Sequence, residues 1–381
     1  IDCGTVDHDT VTYANELGVD VIITDHHEPE ETLPPAYAIL NPKRDHAYPF
    51  RELCGSGVLY KFVCAFLDEA RKEKLHALPI GFEKWLLDMV GIATIADMVP
   101  LRGENRVFAH FGLTVLRKSK RPGLRALFQK TRMNQAYLTE DDIGFTIGPR
   151  SNAGSRRDTP EDAFHFLATT DVDDARVRFD HLEKLNNERK GMVASMSKEL
   201  KKRIALIPEL PNVIVIGNPD WKPALVGLTA NTLVETYGRP VFLWGRDGRG
   251  IIKGSCRSDG ETSVVTLMNL SSDAFLEFGG HHGAGGFSVL DDRIHDLSDA
   301  LNRAYLSLAT SGEKIREPIM IDADLTFRNF DAKLFELVKS LAPFGEGNPK
   351  PLFRFLDAVP KHIEVFGKAK SDLSDARIIG G

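Results

Sequence analysis

The sequence predicts an α/β protein: a parallel-sheet domain and a smaller α/β domain are joined by a long helix and followed by a small β module. Three observations predict it. A strand, an amphipathic helix and a second strand fall within about 25 residues at the start, the spacing of a βαβ unit and hence of a parallel sheet. Nearly fifty residues from about 159 keep a helical period, and a new α/β pattern then opens at Val213-Ile214-Val215-Ile216.

Residues 6–17 place Val6, Val11, Ala14 and Leu17 on one face, which suits a helix packed on a sheet, and Gly18 ends it. Residues 19–24 form an apolar strand that runs straight into Asp25-His26-His27. A second helix follows Gly55-Ser56-Gly57, from Val58 to about Lys74, and another covers about 82–96. In the long helical stretch Leu182, Leu185, Met192, Met196 and Leu200 recur at helical spacing. Beyond Asp171 it would reach on the order of 50 Å before Pro208 and Pro211 stop it. Residues 318–325 and 352–366 read as strands flanking a short helix at 332–341. The expected division is therefore 1–158, a connecting helix at 159–207, a second domain at 208–312 and the β module at 313–381.

With 381 residues the chain is long enough for two or three cores, and a net charge of −6 confines any nucleic-acid contact to local patches. Cys3, Cys54, Cys64 and Cys256 include no CxxC pair, so they read as isolated residues of a reducing, cytoplasmic setting and not as a disulfide or zinc framework. No apolar run is long enough to span a bilayer. The chain starts inside an apolar segment without Met and stops inside another, so it is expected to be a fragment cut at both ends.

The densest chemical signal is Asp2, Asp25-His26-His27 and Asp97. Carboxylates combined with imidazole suit Mn²⁺ or Mg²⁺, and Asp2 and Asp25 are each expected at the carboxyl end of a parallel strand, where open α/β sheets bind ligands. A two-metal centre there would polarise a phosphodiester and activate water. A helix cap or a turn would explain any one of these residues alone; three acidic positions in one sheet topology favour the metal. Gly55-Ser56-Gly57-Val58 at a helix start could face a phosphate or only pack tightly. Arg150, Ser151, Asn152, Arg156 and Arg157 offer phosphate donors, against a solvated turn as the plain alternative. The seven Lys or Arg of 117–132 could line a strand path or be a solvated helix face. Ser255, Arg257 and Ser258, and the glycine-rich run Gly279-Gly280-His281-His282-Gly283-Ala284-Gly285-Gly286, read as phosphate or base contacts in preference to a second metal site.

Asp25-His26-His27 after a buried strand, Ala96-Asp97-Met98-Val99-Pro100-Leu101 with Gly103-Glu104-Asn105-Arg106, and the glycine–histidine run together resemble the DHH phosphoesterase superfamily with its DHHA1 partner domain. Gly148-Pro149-Arg150-Ser151-Asn152-Ala153 and Pro343-Phe344-Gly345-Glu346-Gly347-Asn348-Pro349 narrow the resemblance to its single-stranded-DNA-specific exonuclease branch. The resemblance implies DHH and DHHA1 domains around a narrow cleft and an OB-fold after about 313, with Phe327, Phe330, Phe335 and Phe344 as candidate base stackers. It implies 5′-to-3′ exonuclease activity with two Mn²⁺ or Mg²⁺ ions, in DNA repair and recombination. Asp2 would bridge the metals, and His26 and Asp97 would ligate one. Asp25 would orient the histidines or complete the shell, and His27 would meet the scissile phosphate. Arg150, Asn152 and Arg156 would lie near that phosphate, and Ser255, Arg257, Ser258, Gly280 and His281 would contact the strand. The expected partners are single-stranded DNA and a single-strand-binding protein or helicase, with the chain acting as a monomer away from membranes.

The family's first motif, an Asp-x-Asp pair, is missing, so the fragment by itself is expected to bind metal incompletely and to be inactive. Smaller departures are Lys222, where the family usually has His, and Gly154-Ser155, where it usually has Ala-Gly. Two rivals remain: a DHH oligoribonuclease or cyclic-dinucleotide phosphodiesterase, which usually stops after DHHA1, and a catalytically dead scaffold, which would have no reason to keep these ligands.

Overall fold

The computed structural model describes residues 1–44, 48–74, 78–155, 160–311, 320–356 and 358–359. In chain order, the first part holds α1 (His8–Glu16), β1 (Ile22–Thr24), β2 (Ala38–Leu40) and α2 (Gly55–Lys72). It continues with α3 (Leu87–Ala96), α4 (Gly103–Leu116), α5 (Pro122–Thr131), the single turn α6 (Glu140–Asp142) and α7 (Gly148–Ser155). Then come α8 (Glu161–Ala168), α9 (Val172–Ile204), β3 (Ile214–Gly217), α10 (Pro223–Tyr237), β4 (Val241–Arg246) and β5 (Ile252–Arg257). The rest is α11 (Val264–Leu270), β6 (Glu277–Gly280), β7 (Ala284–Val289), α12 (Leu297–Ser311), β8 (Ala323–Leu325), α13 (Ala332–Ser340) and β9 (Phe353–Phe355). Two compact units emerge, one from Ile1–Glu73, Ala93–His110 and Ile319–Gly381, the other from Lys74–Ile92 and Phe111–Pro318.

In the first unit β1 and β2 pair in parallel, although the chain between them forms no helix. The opening residues are not an assigned strand, contrary to expectation. Asp2 still donates its N–H to the Thr24 carbonyl at 2.7 Å, but its φ of 61° turns the chain out of the pleat before a ladder can form. α2 starts at Gly55, three residues earlier than its first apolar position, and buries Val58, Leu67 and Ala70. Phe108 of α4 packs edge-on to Tyr60 of α2 at 5.4 Å. The last segment supplies β8 and β9, which are parallel to each other with α13 between them in sequence. Its described part holds 9 residues of helix and two strands of 3 residues each; most of residues 357–381, and with them the end of the expected strand at 352–366, lies outside the described residues.

In the second unit the helical periodicity resolves into α8, a break, and the 33-residue α9. Asp171 caps α9 through its side chain on the Asp174 N–H at 2.7 Å. The first half of α9 packs on α5, α7 and α8, and its second half on α10. The basic run at 117–132 is partly structural. Arg117 donates to the Leu138 carbonyl at 2.9 and 2.6 Å, Arg121 to Asp88 at 2.9 Å, and Lys130 to Asp180 at 2.9 Å. Five strands follow in the order β3-β4-β5-β7-β6, parallel only between β3 and β4. One face buries Ile214, Ile216, Val241 and Leu243 with α10 and the end of α9. The other buries Phe242, Ile252, Cys256 and Phe287 with α11 and α12. Burial pushes the Cys256 thiol up to about 12, and none of the four cysteines is in a disulfide. Among the described residues no helix is long and apolar enough to cross a membrane.

Candidate metal centre

The carboxyl end of β1 delivers Asp25 into the protein and the two histidines away from it. Asp25 is 1 % exposed, and every lone pair it buries finds a donor. One oxygen accepts from the Thr5 N–H at 3.1 Å and the Thr5 hydroxyl at 2.6 Å. The other accepts from the backbone N–H of His26 at 2.7 Å and from Nδ1 of His27 at 2.8 Å. Burial would raise this carboxyl, but the bonds from Thr5, His27 and the backbone outweigh it and hold the group far below the usual carboxylate range. Asp25 is therefore an anion that fixes the His27 ring, leaving Nε2 as its remaining nitrogen.

Asn41, at the end of β2, donates to the Thr5 hydroxyl at 3.1 Å and to the His27 carbonyl at 2.9 Å. Sequence reasoning missed both Thr5 and Asn41. The one available signal was a polar residue directly after a strand of a parallel sheet. With the Asp25 carboxylate buried, Thr5→Val removes its shortest bond. The variant is expected to lose about 1–2 kcal/mol of stability and roughly 10-fold in Mn²⁺ affinity. Chemical denaturation in EDTA and a Mn²⁺ titration check the two effects separately.

His26 turns the other way, toward two carboxylates. Its Nε2 lies 3.2 Å from Asp2 Oδ1 and 3.7 Å from Asp97 Oδ2. A potential ligand atom from each of Asp2, His26 and His27 lies within 4.8 Å of the others, the only such cluster among the described residues. Asp97 stands at the end of α3, on the segment before Met98, whose φ is 58°. Burial raises the Asp97 carboxyl above its usual range; His26 opposes the shift and the charge of Asp2 adds to it. Two carboxylates and an imidazole crowded in this way are stabilised by a cation, and the oxygen–nitrogen donor set suits Mn²⁺ or Mg²⁺. Cys54 is close by, but burial raises its thiol and it contacts Thr94 at 3.5 Å, so no thiolate joins the set.

Gly55 admits Asp2 to the group. A Cβ at Gly55 would lie 2.0 Å from Asp2 Oδ1 and 2.7 Å from its carboxyl carbon. The start of α2, read from sequence as a place for phosphate or for tight packing, thus meets a carboxylate of the protein itself.

The other candidate residues lie in the second unit. Residues 148–155 form α7 and not a turn. Arg150 is engaged there by Glu183 of α9, with Nη2–Oε1 at 3.2 Å, and by the Thr146 carbonyl at 3.0 Å, and its side chain is 13 % exposed. Glu183 was not foreseen, since it is 33 residues away on another helix. Asn152 sits on the same short helix; Arg156 lies outside the described residues. Ser255 and Arg257 share the α10 face of β5, where a Cβ on Gly227 would come within 3.0 Å of Arg257 and 3.3 Å of Ser255. Ser258 accepts from the Gly260 N–H at 2.8 Å, and His281 bonds back to the Ala284 carbonyl at 2.9 Å. Gly280 (φ 149°) has no room for a side chain, its added Cβ falling 2.4 Å from the Ala284 oxygen. By register Ser255, Gly286 and Gly279 form one row across β5, β7 and β6. Both glycines of that row are exposed and open to solvent.

Comparison with known proteins gives the DHH family N-terminal domain at residues 1–94, the DHHA1 domain at 210–306 and the RecJ OB domain at 321–375. The single-stranded-DNA-specific exonuclease RecJ of Haemophilus influenzae is 34% identical over 365 residues, covering 93% of this chain and 63% of that protein. The chain thus spans less than two thirds of that relative's length. Among solved structures, Mn²⁺-bound RecJ of Thermus thermophilus matches with a TM-score of 0.80 at 29% identity, over 97% of this chain and 53% of that one. Mg²⁺-bound RecJ from the same organism matches with a TM-score of 0.70 at 28% identity, over 88% and 49%.

Proposed function

The chain belongs to the RecJ family, and from that membership we propose that it is the catalytic part of a single-stranded-DNA exonuclease that hydrolyses phosphodiester bonds at the Asp2–His26–His27–Asp97 cluster. The observation that carries the reading is the convergence of two carboxylates on His26, beside a second histidine whose ring is fixed by a buried anion.

Mn²⁺ or Mg²⁺, when bound, would polarise the phosphoryl group and make water a nucleophile at neutral pH, as one ion or as the expected pair. Asp2, His26 and Asp97 would hold the metal. The contact of Asp25 with Nδ1 fixes the His27 ring, so that Nε2 is the nitrogen that would meet a non-bridging phosphate oxygen where charge develops. Thr5 and Asn41 keep Asp25 and the His27 backbone from shifting.

The Ser255–Gly286–Gly279 row supports a strand-binding role for the DHHA1 sheet. An open, nearly side-chain-free track lets a sugar–phosphate backbone approach the sheet, with Arg257 on the same face. Gly279→Val places a side chain on this track without a backbone conflict. It is expected to weaken binding of a labelled oligonucleotide about 10-fold, as loss of one stacked or backbone contact should, with Mn²⁺ affinity unchanged. Phe327, stacked on Phe355 at 5.0 Å and 73 % exposed, supports base contact in the last segment.

Digestion of a long single strand, compared with a dinucleotide and with duplex, tests the function in the intact protein. We expect release of mononucleotides from the long strand and blockage by a modified 5′ end, as the 5′-to-3′ polarity and a repair role require. Cleavage of the dinucleotide with the long strand untouched would move the protein to the oligonucleotide-clearing branch. No hydrolysis of any substrate in either metal would favour the scaffold.

A further inference from the structure

The motif at 343–349 has no part in the chemistry above, yet it is tied to the segment that follows Asp97. Leu101 donates its N–H to the Glu346 carbonyl at 2.7 Å. Arg102 Nε donates to the Gly347 carbonyl at 3.0 Å, and Arg106 to the Leu341 carbonyl at 2.7 Å. The turn is braced from within. Gly345 and Asn348 exchange backbone bonds of 3.0 and 3.1 Å, and the Asn348 amide donates to the carbonyls of Leu341 at 3.1 Å and Pro343 at 2.8 Å.

The fit is close enough to demand glycine. A Cβ on Gly345 would lie 2.9 Å from Leu101, which is 2 % exposed, and one on Gly347 (φ 70°) would lie 3.1 Å from Pro100. Only Met98, Val99 and Pro100 separate Asp97 from the first of these contacts, and Met98 has the left-handed backbone that needs support from its surroundings. The clamp also reaches the other carboxylate. Asn105, fully buried, donates to the carbonyls of Pro100 at 3.1 Å and Glu52 at 2.5 Å, and Glu52 leads into Gly55 beside Asp2.

We propose that the turn at 343–349 is a positioning element for the metal centre: through Leu101, Arg102 and Arg106 it fixes the segment that sets Asp97 against His26 and Asp2. This rests on reading that cluster as a metal site. The last segment then does more than hold nucleic acid, because metal affinity depends on its docking. Arg102 and Arg106 are positioning residues that act through backbone carbonyls of the turn and touch neither metal nor substrate.

The test uses the intact protein with Arg102→Ala/Arg106→Ala, Arg106→Lys and Asn348→Ala. Mn²⁺ binding is read from the electron paramagnetic resonance of free Mn²⁺, and oligonucleotide binding and thermal midpoint are measured in EDTA. The double variant is expected to bind Mn²⁺ about 10-fold or more weakly, the range that outer partners of ligands command. Oligonucleotide binding in EDTA should stay within roughly 2-fold, and Arg106→Lys, which keeps one donor for Leu341, should bind Mn²⁺ more tightly than Arg106→Ala made for comparison. Asn348→Ala, which loosens the turn from inside, should reproduce the Mn²⁺ loss and decides the matter if the double variant does not fold. Unchanged Mn²⁺ binding in a folded variant, with either a lower thermal midpoint or weaker oligonucleotide binding, overturns the proposal. Absence of Mn²⁺ binding by the unaltered protein instead overturns the metal reading beneath it.

Discussion

His26→Ala is expected to lower single-strand hydrolysis by about 10³-fold, well beyond the roughly 10–100-fold that outer partners of metal ligands cost. The imidazole makes ion-pair contacts with both carboxylates, at 3.2 and 3.7 Å, and its side chain is 14 % exposed. Without it Asp2 and Asp97 lose the nitrogen donor between them. The fold should lose only about 1 kcal/mol, because Nε2 makes no contact with either carboxylate closer than these and the pair is open to water on one side. A titration with Mn²⁺ and the hydrolysis rate at saturating Mn²⁺ are the two measurements. If excess metal restored the full rate, His26 would not be a ligand of the productive centre.

Gly55→Ala is expected to cost about 100-fold in kcat/KM, from a single methyl group. In most helices the change would be mildly stabilising, since alanine is the better helix former by about 1 kcal/mol. Here the added Cβ falls 2.0 Å from Asp2 Oδ1, so one of the two must move. Gly55 is buried at the first turn of α2, whereas the Asp2 side chain is 60 % exposed and can rotate away. The strain is thus relieved by displacing the carboxylate from His26, and the damage falls on the site while stability stays within about 1 kcal/mol. A displacement on the order of 1 Å in such a centre costs roughly 100-fold. Kinetics within about 3-fold of the unaltered protein would mean that Asp2 has no fixed place in the active arrangement.

The parts of this site that were legible in the sequence are those set by local pattern. The apolar run at 19–24 marks a strand that places Asp25-His26-His27 at its carboxyl end. The period of Leu182, Leu185, Met196 and Leu200 likewise marks α9, and all four are buried. What was not legible depends on partners brought from elsewhere in the chain. Nothing near Arg150 announces that Glu183 will take its guanidinium, and nothing near Gly148-Pro149 signals a helix in place of a turn. Thr5 and Asn41 matter only because Asp25 points inward, a direction fixed by the hydrogen bonds themselves. The glycines at 345 and 347 are each required by a neighbour more than 200 positions away in sequence.

Hydrolysis of a long single-stranded oligonucleotide by the intact protein after metal has been stripped with EDTA, and then as Mn²⁺ is returned stepwise, tests the central reading most directly. The stripped protein should be inert, activity should return with Mn²⁺ in the unaltered protein, and His26→Ala should stay near background over the same range. Hydrolysis by the stripped protein, or equal recovery by His26→Ala, would contradict a metal centre built on Asp2, His26 and Asp97.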